Sequence, residues 1–461
     1  MRDDMRLLRT VMLLNTLVLT CVAPLLASQI DQELQMVLHN AGFTGRIEST
    51  LQQRLGRRID NQLADLGRLL WFDTVTGLND DNSCAGCHSP TNGFGDTQSI
   101  AIGIENNGIV GPHRTGPRNM RRTPMAINAA FFPKLMWNSR FSSLLGDPFI
   151  NSAGFEFPAP EGLSLSYLPH LLVAQAFIPP TERTEVAGFS FPGNNYAIRA
   201  EVLNRLNSIP SYRRLFGQSF PEVKRGSLID FDMFGKAIAE FEFTLTFADA
   251  PIDRFGRGQW NALTEEEKRG ALLFFGKARC SQCHTVSGGS NEMFSDFREH
   301  VIGVPQIATL LTNNDFDGPA ANEDFGREQV TNDVLDRYKF RTSPIRNVAV
   351  QATFMHNGAF IRLEDAVRHH LNVFDSARRY TPTDQNLARD LTGPTGPINP
   401  VLARVDSILA SAIDLTSEEF LQLIAFVRDG LLDPRARPEN LRRLVPQSVP
   451  SGRPVLIFEF Q

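Results

Sequence analysis

Two pentapeptides, Cys84-Ala85-Gly86-Cys87-His88 and Cys280-Ser281-Gln282-Cys283-His284, constrain this chain more than any other feature. They hold four of its five cysteines, and the fifth, Cys21, lies in a leader-like segment. Paired cysteines can close tight disulfides or bind zinc, and both readings compete here. The histidine directly after each second cysteine points elsewhere. It is the spacing at which two thiols add across the vinyl groups of a porphyrin while the next imidazole ligates the iron. The sequence therefore predicts two covalently attached c-type haems, with Cys84, Cys87, Cys280 and Cys283 as thioether links and His88 and His284 as proximal iron ligands.

The N-terminus predicts export. Arg2, Arg6 and Arg9 precede a nearly continuous apolar run, Thr10 to Leu26, which closes on the small residues Ala27 and Ser28. That is the pattern of a secretory signal peptide over residues 1–28. The competing reading, an uncleaved anchor, needs a run of roughly 20 residues, slightly longer than this one. Val18 and Thr20 stand where a lipidation motif would carry small residues, so Cys21 is assigned to the discarded peptide and the mature chain to the periplasm. With 461 residues and a formal charge of −5 the chain is long enough for two or three domains, and it has no basic stripe to meet nucleic acid.

A long-range internal resemblance gives the division. The amphipathic stretch Leu63 to Phe72 leads into the first motif, and Thr264 to Phe275 leads into the second. Thr264 with Glu267 forms a capping box, so a helix is expected to start there and end near Gly276. A second box, Thr416 with Glu419, opens a helical run of Phe420, Leu421, Leu423, Ile424, Phe426 and Val427 that closes the second haem domain. Helical patterns also occupy 197–216 and 230–247, between Gly- and Pro-rich stretches at 103–118, 146–162 and 178–195. The bend Ala248-Asp249-Ala250-Pro251 marks the boundary. The expected organisation is mainly α: a signal peptide (1–28), an N-terminal cytochrome c-like domain (29–250), a C-terminal one (251–445) and a tail (446–461), with long ordered loops.

Several segments resemble the bacterial dihaem cytochrome c peroxidases and the related MauG enzymes, which oxidise protein tryptophans. They are Leu66-Gly67-Arg68-Leu69-Leu70-Trp71-Phe72-Asp73, Arg122-Thr123-Pro124-Met125-Ala126-Ile127-Asn128-Ala129, Trp137-Asn138-Ser139-Arg140, Phe340-Arg341-Thr342-Ser343-Pro344-Ile345-Arg346-Asn347 and Phe354-Met355-His356-Asn357-Gly358. The resemblance runs from about Leu66 to Arg428 and implies hydrogen peroxide reduction at the N-terminal haem. Gln175, Pro179 and Glu185 match the family's distal glutamine, proline and glutamate in order and spacing. A carboxylate near haem can move a proton between the peroxide oxygens, and an amide can hold the oxidant. Trp137 matches the tryptophan between the haems. His113 lies near the histidine that caps the resting first haem in the peroxidases, one residue out of register. Trp71 and Trp260 read as core packing, and residues 141–170 as an insertion near the mouth of the site.

The second haem separates the branches of the family. Peroxidases carry methionine, and MauG tyrosine, fourteen residues after the histidine of the His-Asn-Gly segment, whereas the count from His356 lands on His370, with His369 beside it. A second imidazole favours ferric iron more than a thioether does. The resemblance further implies a calcium ion between the haems, held here by Asn119 and the Thr342 and Pro344 carbonyls, although the family's strict asparagine position reads Arg122. The expected reductant is a small cytochrome c or cupredoxin, or a side chain on a partner protein, with the chain a monomer or homodimer. A non-catalytic dihaem electron carrier or redox sensor is the alternative.

Overall fold

The structure, a computed structural model, describes residues 27–156, 165–309 and 311–460. Residues 1–26 of the expected signal peptide, with Cys21, and part of the 141–170 insertion lie outside the described residues. The protein is mainly helical, with strands of two or three residues. Among the described residues no helix is long and apolar enough to cross a membrane. The helices that position the sites are α1 (Gln29–Asn40), α2 (Asn61–Phe72), α3 (Leu171–Gln175), α4 (Phe231–Thr244), α5 (Glu265–Phe275), α6 (Leu363–Leu371) and α7 (Ser417–Ala425).

One packing unit is used twice. In the first half α2 delivers the chain to Cys84 and crosses α4; in the second α5 delivers it to Cys280 and crosses α7. Both capping boxes expected from sequence form. Thr264 Oγ1 accepts from the Glu267 amide at 3.2 Å, Thr416 Oγ1 from the Glu419 amide at 3.1 Å, and each glutamate returns the bond at 2.8 Å. The 197–216 pattern resolves into Asn195–Ser208 and Pro210–Ser219, because Pro210 has no amide hydrogen to continue the first helix.

Each crossing is closed by a glycine. A Cβ on Gly67 would lie 1.8 Å from the Ala237 carbonyl oxygen of α4, and one on Gly270 would lie 1.9 Å from the Gln422 carbonyl oxygen of α7. Because backbone stands in the way, relief requires the helices to separate. Gly67→Ala or Gly270→Ala is expected to cost about 3 kcal/mol or more, read as a lowered unfolding midpoint of the holoprotein. An unchanged midpoint would show that the crossings open freely.

The cores do not follow the expected cut at residues 29, 250 and 445. Leu34 and Leu38 of α1 bury in the second core with Phe255, Phe274 and Leu423, and Asp31 of α1 pairs with Lys268 of α5 at 2.6 Å. Conversely, Ala436, Leu441 and Val449 join the first core with Leu66, Trp71 and Phe241. The expected tail is a working segment. Ser451 Oγ donates to Asp73 at 2.7 Å, and Ile457–Phe458 pairs in parallel with Ile109–Val110.

Two asparagines in left-handed backbone, Asn128 and Asn347, tie the halves together. Their side-chain amides donate to the same Phe247 carbonyl at 3.0 and 2.9 Å. Below that junction the Arg346 guanidinium, 1% exposed, forks onto Asp253 at 2.7 and 2.8 Å.

Candidate haem centres

The two Cys-x-x-Cys-His segments adopt the same local turn. The His88 amide donates to the Cys84 carbonyl at 2.8 Å, and the His284 amide to the Cys280 carbonyl at 2.9 Å. Each imidazole is then fixed by its own Nδ1, on Phe94 O at 3.1 Å and on Phe294 O at 2.9 Å. Loss of water pushes both rings down to about 4. Each is therefore neutral, donates from Nδ1 and keeps its Nε2 lone pair for a metal.

No disulfide joins either cysteine pair. Burial pushes the Cys84 and Cys280 thiols up to about 12 and Cys87 to about 11. Neutral ligand imidazoles and unpaired thiols at this spacing fit haem.

Beside the first motif lies a cavity of about 640 Å³, walled by Cys84, Cys87 and His88 together with Gln175, Pro179, Glu185 and Trp137. The distal residues expected from sequence thus share one space. Helix α3 carries Gln175, with its N-terminus held where His170 Nδ1 accepts from the Leu172 amide at 3.1 Å. Glu185 sits in a π-turn, Arg183–Ala187, a local widening frequent at functional sites. Loss of water, and then the nearby Glu182, push the Glu185 carboxyl up to about 7 against the pull of Arg140. Arg140 also pairs with Glu182 at 2.9 Å.

Trp137, 5% exposed, donates its indole N–H to the Arg122 carbonyl at 2.6 Å. Its own carbonyl accepts from the Arg341 amide at 2.7 Å, and Arg341 belongs to the strand that pairs with Glu299–His300, close to the second motif.

One wall residue escaped the sequence reading. Glu242 of α4 is buried, its Oε2 has no hydrogen-bond partner among the described residues, and burial alone pushes it up to about 8. Glu240, two residues earlier, grips Arg57 at 2.7 and 2.6 Å. Two glutamates inside an apolar helical run were the available signal, and only one of them has a structural partner.

Two expectations for this region are corrected. His113 does not line the cavity. It is exposed, and Glu459 of the C-terminal segment accepts from its amide at 3.0 Å and binds its Nδ1 at 2.8 Å. The proposed calcium ligands do not converge either. Asn119 lines the cavity with a buried, unpartnered Oδ1, but neither Thr342 nor Pro344 does. The Thr342 carbonyl is already taken by Ser295 Oγ at 2.7 Å and Arg341 Nη1 at 3.2 Å. With no carboxylate in the set and Arg122 at the asparagine position, these residues do not fit calcium.

At the second motif His284 and His370 face each other with ring centroids 6.4 Å apart. Two imidazoles on one metal, each with a metal–nitrogen bond of about 2 Å, place their centroids about 6 Å apart. His370 Nδ1 is on the Ala366 carbonyl at 2.8 Å. The neighbouring His369 has both nitrogens engaged, on Ser376 Oγ at 3.1 Å and Ile302 O at 2.8 Å. Successive residues on α6 point about 100° apart, so only one of the pair can meet His284.

Cys283, Asp296 and His300 also cluster within ligand distance of one another. His300 is clamped between Asp296 at 3.1 Å and Asp406 at 2.5 Å, and those bonds push it up to about 12. A protonated imidazole held between two carboxylates makes the cluster an ion-pair network.

A model of the di-haem cytochrome c peroxidase family matches residues 61–261. The methylamine utilization protein MauG of Methylophilus methylotrophus is 27% identical over 314 residues, covering 67% of this chain and 71% of that protein. Cytochrome c551 peroxidase of Pseudomonas aeruginosa is 27% identical over 312 residues, covering 68% and 72%. Over these stretches the chain is similar to the dihaem cytochrome c peroxidases and MauG proteins. Two solved structures share its fold. A MauG-like protein associated with microbial copper homeostasis has a TM-score of 0.58 at 24% identity, covering 82% of this chain and 91% of its own. The diheme peroxidase BthA from Burkholderia thailandensis has a TM-score of 0.54 at 22% identity, covering 86% and 90%. As a dihaem peroxidase relative the protein is a haem-dependent oxidoreductase.

Proposed function

We propose that the chain is an exported, peroxide-dependent oxidoreductase that binds one haem covalently at Cys84, Cys87 and His88 and a second at Cys280, Cys283 and His284. Peroxide enters at the first site, and the second, between His284 and His370, stores and relays electrons. The carrying observation is the asymmetry of the two sites: the first opens on a cavity with Gln175 and Glu185 in its wall, whereas the second has an imidazole opposite its proximal histidine. The leader at residues 1–28 supports export to the periplasm.

Bound haem would supply the redox centre that takes both oxidising equivalents of the peroxide. The residues manage protons and position. Glu185, with its carboxyl raised to about 7, is ionised in part of the population near neutrality, and as a carboxylate it accepts the proton of the inner peroxide oxygen and returns it to the outer one, which leaves as water. Gln175 orients the oxidant by its amide, and the Arg140–Glu182 pair fixes the charge beside Glu185. Trp137, bonded on one side to Arg122 and on the other to Arg341, gives electrons an aromatic step toward the second site.

A second imidazole lowers the potential of a haem relative to methionine. That makes the second site a poor acceptor from a high-potential cytochrome and favours a side chain on a partner protein as the reductant.

EPR of the resting ferric holoprotein tests the reading. One high-spin signal and one bis-imidazole low-spin signal are expected, and both should vanish on direct addition of peroxide. Two low-spin haems would return the chain to the electron-carrier class. A requirement for one-electron reduction before peroxide reacts would place it with the ordinary peroxidases.

A further inference from the structure

Arg122 and Arg341 are 6% and 3% exposed, and both line the cavity of the first site. Neither has a carboxylate within ion-pair distance among the described residues. Arg122 donates from Nη1 to the Gln351 side-chain carbonyl at 2.7 Å and from Nε to the Met355 carbonyl at 3.1 Å. Arg341 donates from Nε to the Met136 carbonyl at 3.0 Å and from Nη1 to the Thr342 carbonyl at 3.2 Å.

The nearest acids are committed elsewhere. The Asp96 carboxylate accepts from the amides of Thr97, Gln98 and Thr123, and Glu299 pairs with Lys134 at 2.7 Å. Burial pushes both guanidiniums down to about 10. Two buried cations satisfied only by neutral carbonyls are costly unless an anion joins them. Trp137 lies between them, with Arg122 5.2 Å from its ring.

We propose that Arg122 and Arg341 form a built-in cationic seat for the propionate carboxylates of the bound haem, doing with two guanidiniums what a calcium ion would otherwise do in this region. This rests on the reading that the cavity holds haem. A guanidinium suits the task because its planar fork matches a carboxylate and stays charged when buried. The same two charges repel a divalent cation, consistent with the scattered calcium ligands.

The test uses the holoprotein. Pyridine haemochrome analysis first counts haems; fewer than two per chain refutes the parent reading and not this one. With two haems present, elemental analysis is expected to find iron and no stoichiometric calcium, and chelator dialysis should leave the EPR spectrum and both midpoint potentials unchanged. Arg122→Gln and Arg341→Gln are each expected to lower the potential of the first haem, since a cation beside a carboxylate favours the reduced, less positive iron, while Arg122→Lys stays near the parent. One calcium per chain whose removal changes the spectrum, or Gln variants with the parental potential, would overturn the proposal. The metal analysis decides even if a variant fails to accumulate.

Discussion

Replacing His370 by methionine should raise the midpoint potential of the second haem by on the order of a hundred millivolts, and the bis-imidazole EPR signal should disappear with it. Two features make the effect large. His370 is held from behind by the Ala366 carbonyl and faces His284, so its imidazole is aimed before any ligand bond forms. His369 cannot substitute, because both its nitrogens are engaged. A thioether binds ferric iron more weakly, so the His370→Met protein should accept electrons from a high-potential cytochrome that the parent uses poorly. A haem count of two with an unchanged low-spin signal would remove His370 from the iron.

The second large effect is at Glu185. Glu185→Gln keeps size and polarity but cannot accept a proton, so the second-order rate constant with peroxide should fall at least about a hundredfold while both resting EPR signals persist. The pH profile gives an independent check. Loss of water and Glu182 hold the carboxyl at about 7, so the parental rate should fall as pH drops through that value, and the variant should be flat. The raised value also fixes the sign for stability. A carboxyl that binds its proton more tightly when folded loses stability as pH rises from the ordinary carboxylate range to about 7. The variant should therefore lose rate without losing its unfolding midpoint; a parallel loss of both would mark Glu185 as merely structural.

The motifs whose chemistry depends on near neighbours were legible in the sequence. The cysteine spacing and the capping boxes at Thr264 and Thr416 are local, and both boxes form as expected, whereas the equally local break at Pro210 inside the 197–216 pattern was missed. Gln175, Pro179 and Glu185 were reachable because a resemblance supplied an order and a spacing, and folding brings them to one cavity with His88. What failed depended on partners far along the chain. His113 reads as a loop histidine near a haem until Glu459, 346 residues away, takes it. The Thr342 carbonyl was a fair calcium ligand until Ser295, 47 residues away, claimed it. Glu242 was invisible because periodicity marks which face of a helix is buried, not which buried acid lacks a partner.

The exchange of terminal segments has a consequence for biogenesis. Since α1 completes the second core and residues after 434 complete the first, neither half is a self-sufficient product of its own stretch of chain. Emergence of the N-terminal half alone cannot finish the first core, which waits for the segment around Ala436, Leu441 and Val449 to arrive. If haem is attached at Cys84 and Cys87 as proposed, thioether formation would act on a chain still open, and the fold would then close over the group like a buckle fastened from both ends.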